Sequence, residues 1–266
     1  MLLAVDIGNA SIDFGLFEND TLCWTAKTTA NPQRTADDYA LSFLSVFARH
    51  NTTVQSVRGI VLCSVVPALT QTLMQTLQTL FSAEPYRIRP GIRTGMNLRI
   101  DLQTQIGADL VAQAVAATHM FTAPLAVVDC GTATAITVVD TDYAVAGVIL
   151  CPGLRLAADA LFTGAAALSP VPLQPPQQLI GKNTEDSLQA GLLIGHAAMV
   201  DGLLGKIAAQ LSLQTLTAVL TGGLAPLLQP YCTTPMHHVP HLTLQGLRLL
   251  YERRNVPRRE RQTRSH

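Results

Sequence analysis

Apolar runs and amphipathic stretches alternate along this chain, and their periods predict its elements. Leu3-Ala4-Val5 is a run of β-formers that stops at Asp6-Ile7-Gly8-Asn9, with a second strand expected over 12–17 and a third near 22–27. Thr35-Ala36-Asp37-Asp38 supplies a helix cap and first-turn acids, and Tyr39, Phe43, Val46 and Phe47 share the face that follows. Residues 59–66 read as a buried strand closed by Pro67. A helix is predicted from there to about Phe81 on the spacing of Leu69, Leu73, Leu77 and Leu80. Tyr86-Arg87-Ile88 is a short strand, and 90–105 is a loop or an edge strand. Ile106-Gly107-Ala108-Asp109-Leu110 opens an Ala/Val-rich helix that lasts to about His119. Past Pro124 come strands over 126–128, 135–139 and 144–150, a helix beginning at Cys151-Pro152-Gly153, and an exposed Pro-rich connection over 169–176. Gly181-Lys182-Asn183-Thr184-Glu185-Asp186 caps a long apolar helix through Leu204, and 218–223 is a strand running into a glycine turn. His237, His238 and His241 fall in a loop entering a last β segment, without convincing metal spacing. That order, repeated in two halves, predicts an α/β fold with a central cleft.

The halves announce themselves by a repeat. Leu3-Ala4-Val5-Asp6-Ile7-Gly8-Asn9-Ala10-Ser11 returns 123 positions later as Ala126-Val127-Val128-Asp129-Cys130-Gly131-Thr132-Ala133-Thr134. In each, β-formers lead into Asp-x-Gly-(Asn/Thr) and a second strand. Glycine lets the backbone turn tightly and approach a ligand, exposed amides in such a turn make an anion-binding concavity, and the neighbouring carboxylate recruits a cation. One Asp-x-Gly is common in an ordinary hairpin. Two matched copies point instead to a nucleotide triphosphate held between two half-molecules.

Composition narrows the classes. With 266 residues, 48% of them hydrophobic, the chain can bury a sizeable core. Net charge is zero, which argues against bulk nucleic-acid binding. From Glu252 onward there are six Arg and two Glu, an Arg-rich end that is most simply a solvated tail. Cys23, Cys63, Cys130, Cys151 and Cys232 are scattered, with no C-x-x-C pair, and read as thiols of a reducing cytosol. No signal peptide opens the chain, and no apolar stretch reaches a membrane span without polar interruption. A cytoplasmic protein without a membrane partner is expected.

The motifs, taken in order, resemble those of the type III pantothenate kinases, of the superfamily that joins acetate and sugar kinases, heat-shock ATPases and actin. The family's Asp-x-Gly-Asn-Thr is similar to Asp6-Ile7-Gly8-Asn9-Ala10, its Ser-Val-Val-Pro stands at Ser64-Val65-Val66-Pro67, and its Gly-x-Asp-Arg is similar to Gly107-Ala108-Asp109-Leu110. Asp129-Cys130-Gly131-Thr132-Ala133, Gly147 with Ile149 and Pro152-Gly153, Asn183-Thr184 and Thr221-Gly222-Gly223 complete the series, and the ending at 242–247 and 251–255 fits as well. The resemblance implies two duplicated ribonuclease H-like (actin-like ATPase) halves, each a mixed sheet flanked by helices, with a nucleotide cleft between them. The expected division is 1–117, 118–255 and a basic tail over 256–266.

The implied activity is transfer of the ATP γ-phosphate to pantothenate, giving 4'-phosphopantothenate, the first step toward coenzyme A. Asp109 is then the catalytic base, and Asp6 holds Mg²⁺ with ATP. Ile7, Gly8, Asn9, Ala10, Ser11, Ile12 and Asp13, with Gly131 and Thr132, form the phosphate sites. Gly107, Ala108, Asp109, Leu110 and Thr184 meet the substrate. Asp129 matches the position of a monovalent cation, K⁺ or NH₄⁺, and Thr184 matches a residue that approaches from the partner of a homodimer.

Three positions depart from the family's pattern. Leu110 replaces an arginine that helps hold the substrate, a charge-assisted contact worth roughly 1.5–3 kcal/mol, and Arg93, Arg99 and Arg155 are candidate replacements. Ala10 removes a hydroxyl from the first turn, and Ile100 stands where some members carry a substrate-facing tyrosine. The three carboxylates Asp6, Asp109 and Asp129 all remain. The alternatives are a catalytically weakened regulator like Bvg accessory factor, which is a family member, or an enzyme of another small hydroxy acid. A polyphosphate phosphatase of the superfamily is disfavoured by the motif order.

Overall fold

The computed structural model describes residues 1–89, 92, 94–101 and 106–254. Along the chain run β1 (Leu2–Ile7), β2 (Ser11–Glu18), β3 (Thr21–Thr29), α1 (Ala36–Arg49), β4 (Gly59–Ser64), α2 (Pro67–Phe81), β5 (Pro85–Arg87), β6 (Asn97–Leu98) and α3 (Ala108–Met120). They are followed by β7 (Leu125–Cys130), β8 (Ala133–Val139), β9 (Ala144–Pro152), α4 (Leu154–Gly164), α5 (Thr184–Gln189), α6 (Gly195–Gln210), β10 (Thr217–Thr221), α7 (Ala225–Leu228), β11 (Met236–His238) and α8 (Leu242–Arg253). The expectations placed on Arg93, on 102–105 and on the Arg-rich tail past Arg254 lie outside the described residues.

The described chain divides into two compact units: 1–96 with 106–116 and 243–254, and 97–101 with 117–242. In the first, the strand order is β3-β2-β1-β4-β5, with β1–β2 and β2–β3 antiparallel and β1–β4 and β4–β5 parallel. Alternation along each strand sends Leu3, Val5, Ile7, Ile12, Phe14, Leu16, Ile60 and Leu62 into one core, where they meet Tyr39 and Phe43 of α1 and Leu69, Leu73 and Leu77 of α2. α1 starts on a capping box, the Thr35 hydroxyl accepting from Asp38 N–H while the Asp38 carboxylate accepts from Thr35 N–H.

α8 corrects two sequence expectations. The last segment is a helix rather than a strand, and His237 and His238 lie in β11 rather than a loop. The residues of α8 from 243 onward group with the first unit, whereas the sequence alone places the second half at 118–255. The packing gives the reason. Gly246 sits so close to the backbone of Ala112 in α3 that any Cβ would collide with it, and Leu244 reaches to Gly15 on β2. The Arg248 guanidinium, in turn, bonds both Asp20 (2.6 Å) and Glu252 (2.8 Å).

The second unit repeats the first. Its order β9-β8-β7-β10-β11 has the same parallel and antiparallel pairings, and β6 is added at the β9 edge. Hydrogen bonds recur in kind: Ile7 C=O accepts from Val65 N–H and Cys130 C=O from Leu224 N–H, each at 3.1 Å. Ala10 C=O accepts from Ala30 N–H at 3.2 Å, and Thr132 C=O from Gly153 N–H at 3.1 Å. A π turn over Ala190–Ile194 joins α5 to α6. The joined run, Thr184–Gln210, is long and apolar enough for a membrane span by length and composition, with mean hydropathy 1.4. His196 and Asp201 interrupt it, and its Leu192, Leu193, Val200, Leu204 and Ile207 pack into the core of the second unit.

Substituting Gly246→Ala should cost about 3 kcal/mol, because the new methyl meets backbone rather than a movable side chain. Gly164→Ala, with nothing within 4 Å of its Cβ, should change stability by less than about 1 kcal/mol. Urea midpoints of the two variants check the contrast, and equal midpoints would refute the packing argument.

Candidate functional site

One polar row crosses the first sheet. Asp6 stands opposite Asp13 of β2 on one side and Cys63 of β4 on the other, and Asp13 stands opposite Lys27 of β3. Because neighbours in register share a face, Lys27, Asp13, Asp6 and Cys63 all lie on the side away from Val5, Ile7, Ile12 and Leu62. Lys27 Nζ pairs with Asp13 Oδ1 at 3.1 Å, and the Ser11 hydroxyl donates to Asp13 Oδ2 at 2.8 Å. The Cys63 thiol donates to Asp6 Oδ1 at 3.1 Å. Gly8 N–H is spent on Ser11 C=O (2.9 Å), which closes the turn and leaves Asn9 and Ala10 exposed at its tip. Ile7 and Ile12, expected at the phosphate site, have fully buried side chains, so only their backbones can serve there.

Asp109 occupies the first turn of α3 and folds its carboxylate back over Gly107. Its Oδ1 is buried, with no hydrogen-bond partner among the described residues. Burial pushes the Asp109 carboxyl above the usual carboxylate range, partly opposed by donation from the Leu110 and Asp109 backbone N–H groups. The Cys63 thiol feels the same neighbourhood: complete burial, then the charges of Asp6 and of Asp109, hold it well above the ordinary thiol range. The first unit therefore brings together Asp6, Cys63 and Asp109, of which Cys63 was not a candidate from the sequence. The signal for it lay in a pairing register between β1 and β4, which no local pattern carries. Leu110, half-buried, flanks Gly107 beside the Asp109 carboxylate.

In the second unit Asp129, the last residue but one of β7, stands opposite Ala135 and Thr221. Gly222, at φ +94°, lies so close to Asp129 Oδ1 and the Cys130 backbone that a side chain would strike both, and Gly153 closes on the Gly131 and Thr132 carbonyls. The Gly131 amide is bonded to Ala133 C=O at 3.1 Å, so Thr132, which is exposed, is the residue whose donors face outward. Burial, with Asp129 and Cys232 nearby, pushes the Cys130 thiol up to about 12, which makes it inert. Thr184 opens α5 behind its Asn183 cap, exposed in a shallow groove of about 490 Å³ that Leu168, Gly181, Lys182 and Ser187 help to line. Arg99, expected as a replacement cation, is committed to Asp140 (2.8 Å) and Asp142 (2.7 Å), whereas Arg155 is exposed on α4. Ile100 falls in the second unit and Leu110 in the first.

Residues 2–206 match the family model of the type III pantothenate kinases. A type III pantothenate kinase of Frankia alni is 40% identical over 254 residues, spanning 95% of this chain and 99% of the relative. One from Moorella thermoacetica is 37% identical over 253 residues with the same coverage. Among solved structures, a Baf family protein from Campylobacter jejuni superposes at TM-score 0.58 and 17% identity, over 94% of this chain and 97% of that one. The ethanolamine utilization protein EutJ from Carboxydothermus hydrogenoformans gives 0.51 at 13% identity, over 93% and 89%. At these identities the structural likeness is one of fold.

The raised carboxyl of Asp109 has a consequence for stability. Its folded pKa lies above its unfolded value, so its contribution is full below the unfolded value and is lost as pH rises through the folded one. At neutral pH the fold carries a buried charge that Asp109→Asn removes. The variant should therefore unfold at higher urea than the parent at pH 7, with the gain shrinking toward pH 4. A variant less stable at pH 7 would contradict the account.

Proposed function

The chain belongs to the type III pantothenate kinase family, whose activity is ATP-dependent phosphotransfer to a pantothenate-like substrate, and from that premise we propose which residues do the work. Asp109 is the general base. The observation that carries this is its buried Oδ1, an acceptor already stripped of water and without a donor. A substrate hydroxyl donates to that oxygen. As the hydroxyl oxygen attacks the γ-phosphorus its proton passes to the carboxylate, the bond to the bridging oxygen breaks, and ADP leaves. The raised proton affinity of Asp109 makes it a stronger base than an exposed aspartate.

Asp6 and the tip of its turn, Asn9, Ala10 and Ser11, hold the ATP phosphates, and Thr132, beside Gly131, supplies further donors. Among the described residues no three His, Cys, Asp or Glu side chains gather into a metal cage. Mg²⁺ is commonly held by one or two carboxylates together with substrate phosphates, and Asp6 is the carboxylate for it. When bound, the ion neutralises phosphate charge. The Asp129 oxygens, on a turn closed by Gly222, suit a hard monovalent cation, K⁺ or NH₄⁺.

The assembly we propose is a cytoplasmic homodimer. Support comes from the exposed side of the long helical run, where Gly191, Gly195, Ala198, Gly202, Gly205 and Ala209 recur at alternating spacings of four and three. Small residues at that period let a second helix approach closely. Sedimentation of the purified protein should give twice the chain mass of 28.4 kDa, and a monomer at micromolar concentration would overturn the dimer.

Leu110 favours a second reading, a small hydroxy acid less dependent on a cation than pantothenate is. The purified protein should phosphorylate pantothenate with Mg-ATP, faster with K⁺ or NH₄⁺. Asp109→Asn should lower kcat about 10²–10⁴-fold and abolish the acid limb of the pH profile. Leu110→Arg should lower the pantothenate KM about tenfold or more and shift that acid limb to lower pH. A folded protein inert toward pantothenate in every cation would refute the substrate, and other hydroxy acids would then be tried.

A further inference from the structure

We propose that Cys63 is a positioning residue for Asp6: its thiol fixes the carboxylate that anchors Mg-ATP. The inference rests on the reading of Asp6 given above and deepens it. Three observations lead to it. Cys63 Sγ donates to Asp6 Oδ1 at 3.1 Å from the neighbouring parallel strand, in register and completely buried, so neither group can swing away without disturbing the sheet. The thiol also lies within the electrostatic reach of Asp109, so the group beside both carboxylates of the proposed reaction is a neutral donor. The duplicated architecture supplies the third. In the second unit the residue at the same register position, opposite Asp129 on the parallel neighbour, is Thr221, another short, buried side chain with a proton to donate.

A carboxylate near a strand end has two side-chain rotations, and only some settings aim an oxygen at an incoming phosphate and its cation. Binding one oxygen to β4 narrows those settings before ATP arrives, which lowers the entropic cost of binding. A hydrogen bond to a charged acceptor is among the stronger kinds, so its loss should be measurable. The flanking Asp13 does not undo the arrangement, because Lys27 and Ser11 bind it.

The test is calorimetric titration of the full-length protein with a non-hydrolysable ATP analogue and Mg²⁺, alongside steady-state kinetics. Cys63→Val keeps the volume and removes the donor, Cys63→Ala removes both, and Cys63→Ser keeps a donor. Val and Ala should each weaken Mg-nucleotide binding about tenfold and raise the ATP KM in step, with the pantothenate KM and the acid limb of kcat unmoved. Ser should recover binding to within about threefold. In an Asp6→Asn background, Cys63→Val should have no further effect. Parental nucleotide affinity in Cys63→Val would overturn the proposal alone, as would a loss of thermal stability without a change in affinity. Failure of the unaltered protein to bind Mg-nucleotide at all would overturn the kinase reading and this proposal with it.

Discussion

A carboxylate at the end of a buried strand loses much of its water, and each unit of this molecule carries one at the same point, Asp6 on β1 and Asp129 on β7. Much of the local design is arranged around that cost. In the first unit the adjacent strand provides a thiol donor, and the like-charged neighbour Asp13 is neutralised by Lys27 and Ser11. In the second, a left-handed glycine brings the Thr221-Gly222-Gly223 turn against the carboxylate, and no side chain larger than hydrogen fits there. Asp109 is treated differently. Among the described residues it has backbone donors on one side and no partner on Oδ1, so its charge is left partly uncompensated. The contrast fits the roles proposed above, because a group that takes up a proton gains from being held that way, whereas one that stays ionised beside a cation does not.

The repeat also shows how one architecture was put to two uses. β1 and β7 correspond at an offset of 123 residues, and the strand pairings around them are of the same kind. Their turns do not. Gly8 N–H closes on Ser11 and Gly131 N–H on Ala133, so the first turn has one more residue at its tip. Opposite the strand-end aspartate stands Asp13 in one copy and Ala135 in the other. The first unit thus concentrates charge, and the second offers hydroxyls and carbonyls around a single carboxylate. Such a division suits a reaction in which phosphate charge and proton transfer must be handled by different groups.

Much of this was legible from residue patterns, since alternation and helical spacing are local. The strands flanking both turns, the α1 capping box and the α2 leucine face follow from neighbours in sequence. α8 was not legible. Leu242-Thr243-Leu244 alternates like a strand, and Gly246 weakens the helical signal; the glycine is there because Ala112 of α3 leaves no room for a Cβ. That is a tertiary demand overriding a local preference. Cys63 was hidden for a related reason. Within 59–66 it is one more apolar residue, and only the parallel pairing of β4 with β1 reveals that it faces Asp6. Ile7 and Ile12 lie within the same motif, yet strand alternation buries their side chains and leaves only their backbones to face the turn.

Leu110 ties these themes together. An arginine beside Asp109 would grip an anionic substrate, but its charge would also stabilise the ionised carboxylate and lower its proton affinity. Leucine, half-buried on the other flank of Gly107, adds apolar surface where the cation would stand. The environment of Asp109 then stays dry, burial remains the dominant influence on it, and its carboxylate keeps the higher proton affinity that the proposed role as base would use. Binding and basicity are exchanged at one position. An interaction made equally in the ground and transition states lowers KM without raising kcat, whereas a better-matched base acts on the barrier itself. Departing from the family's arginine at this position is therefore compatible with catalysis, provided the substrate is held through its hydroxyl and its other polar groups.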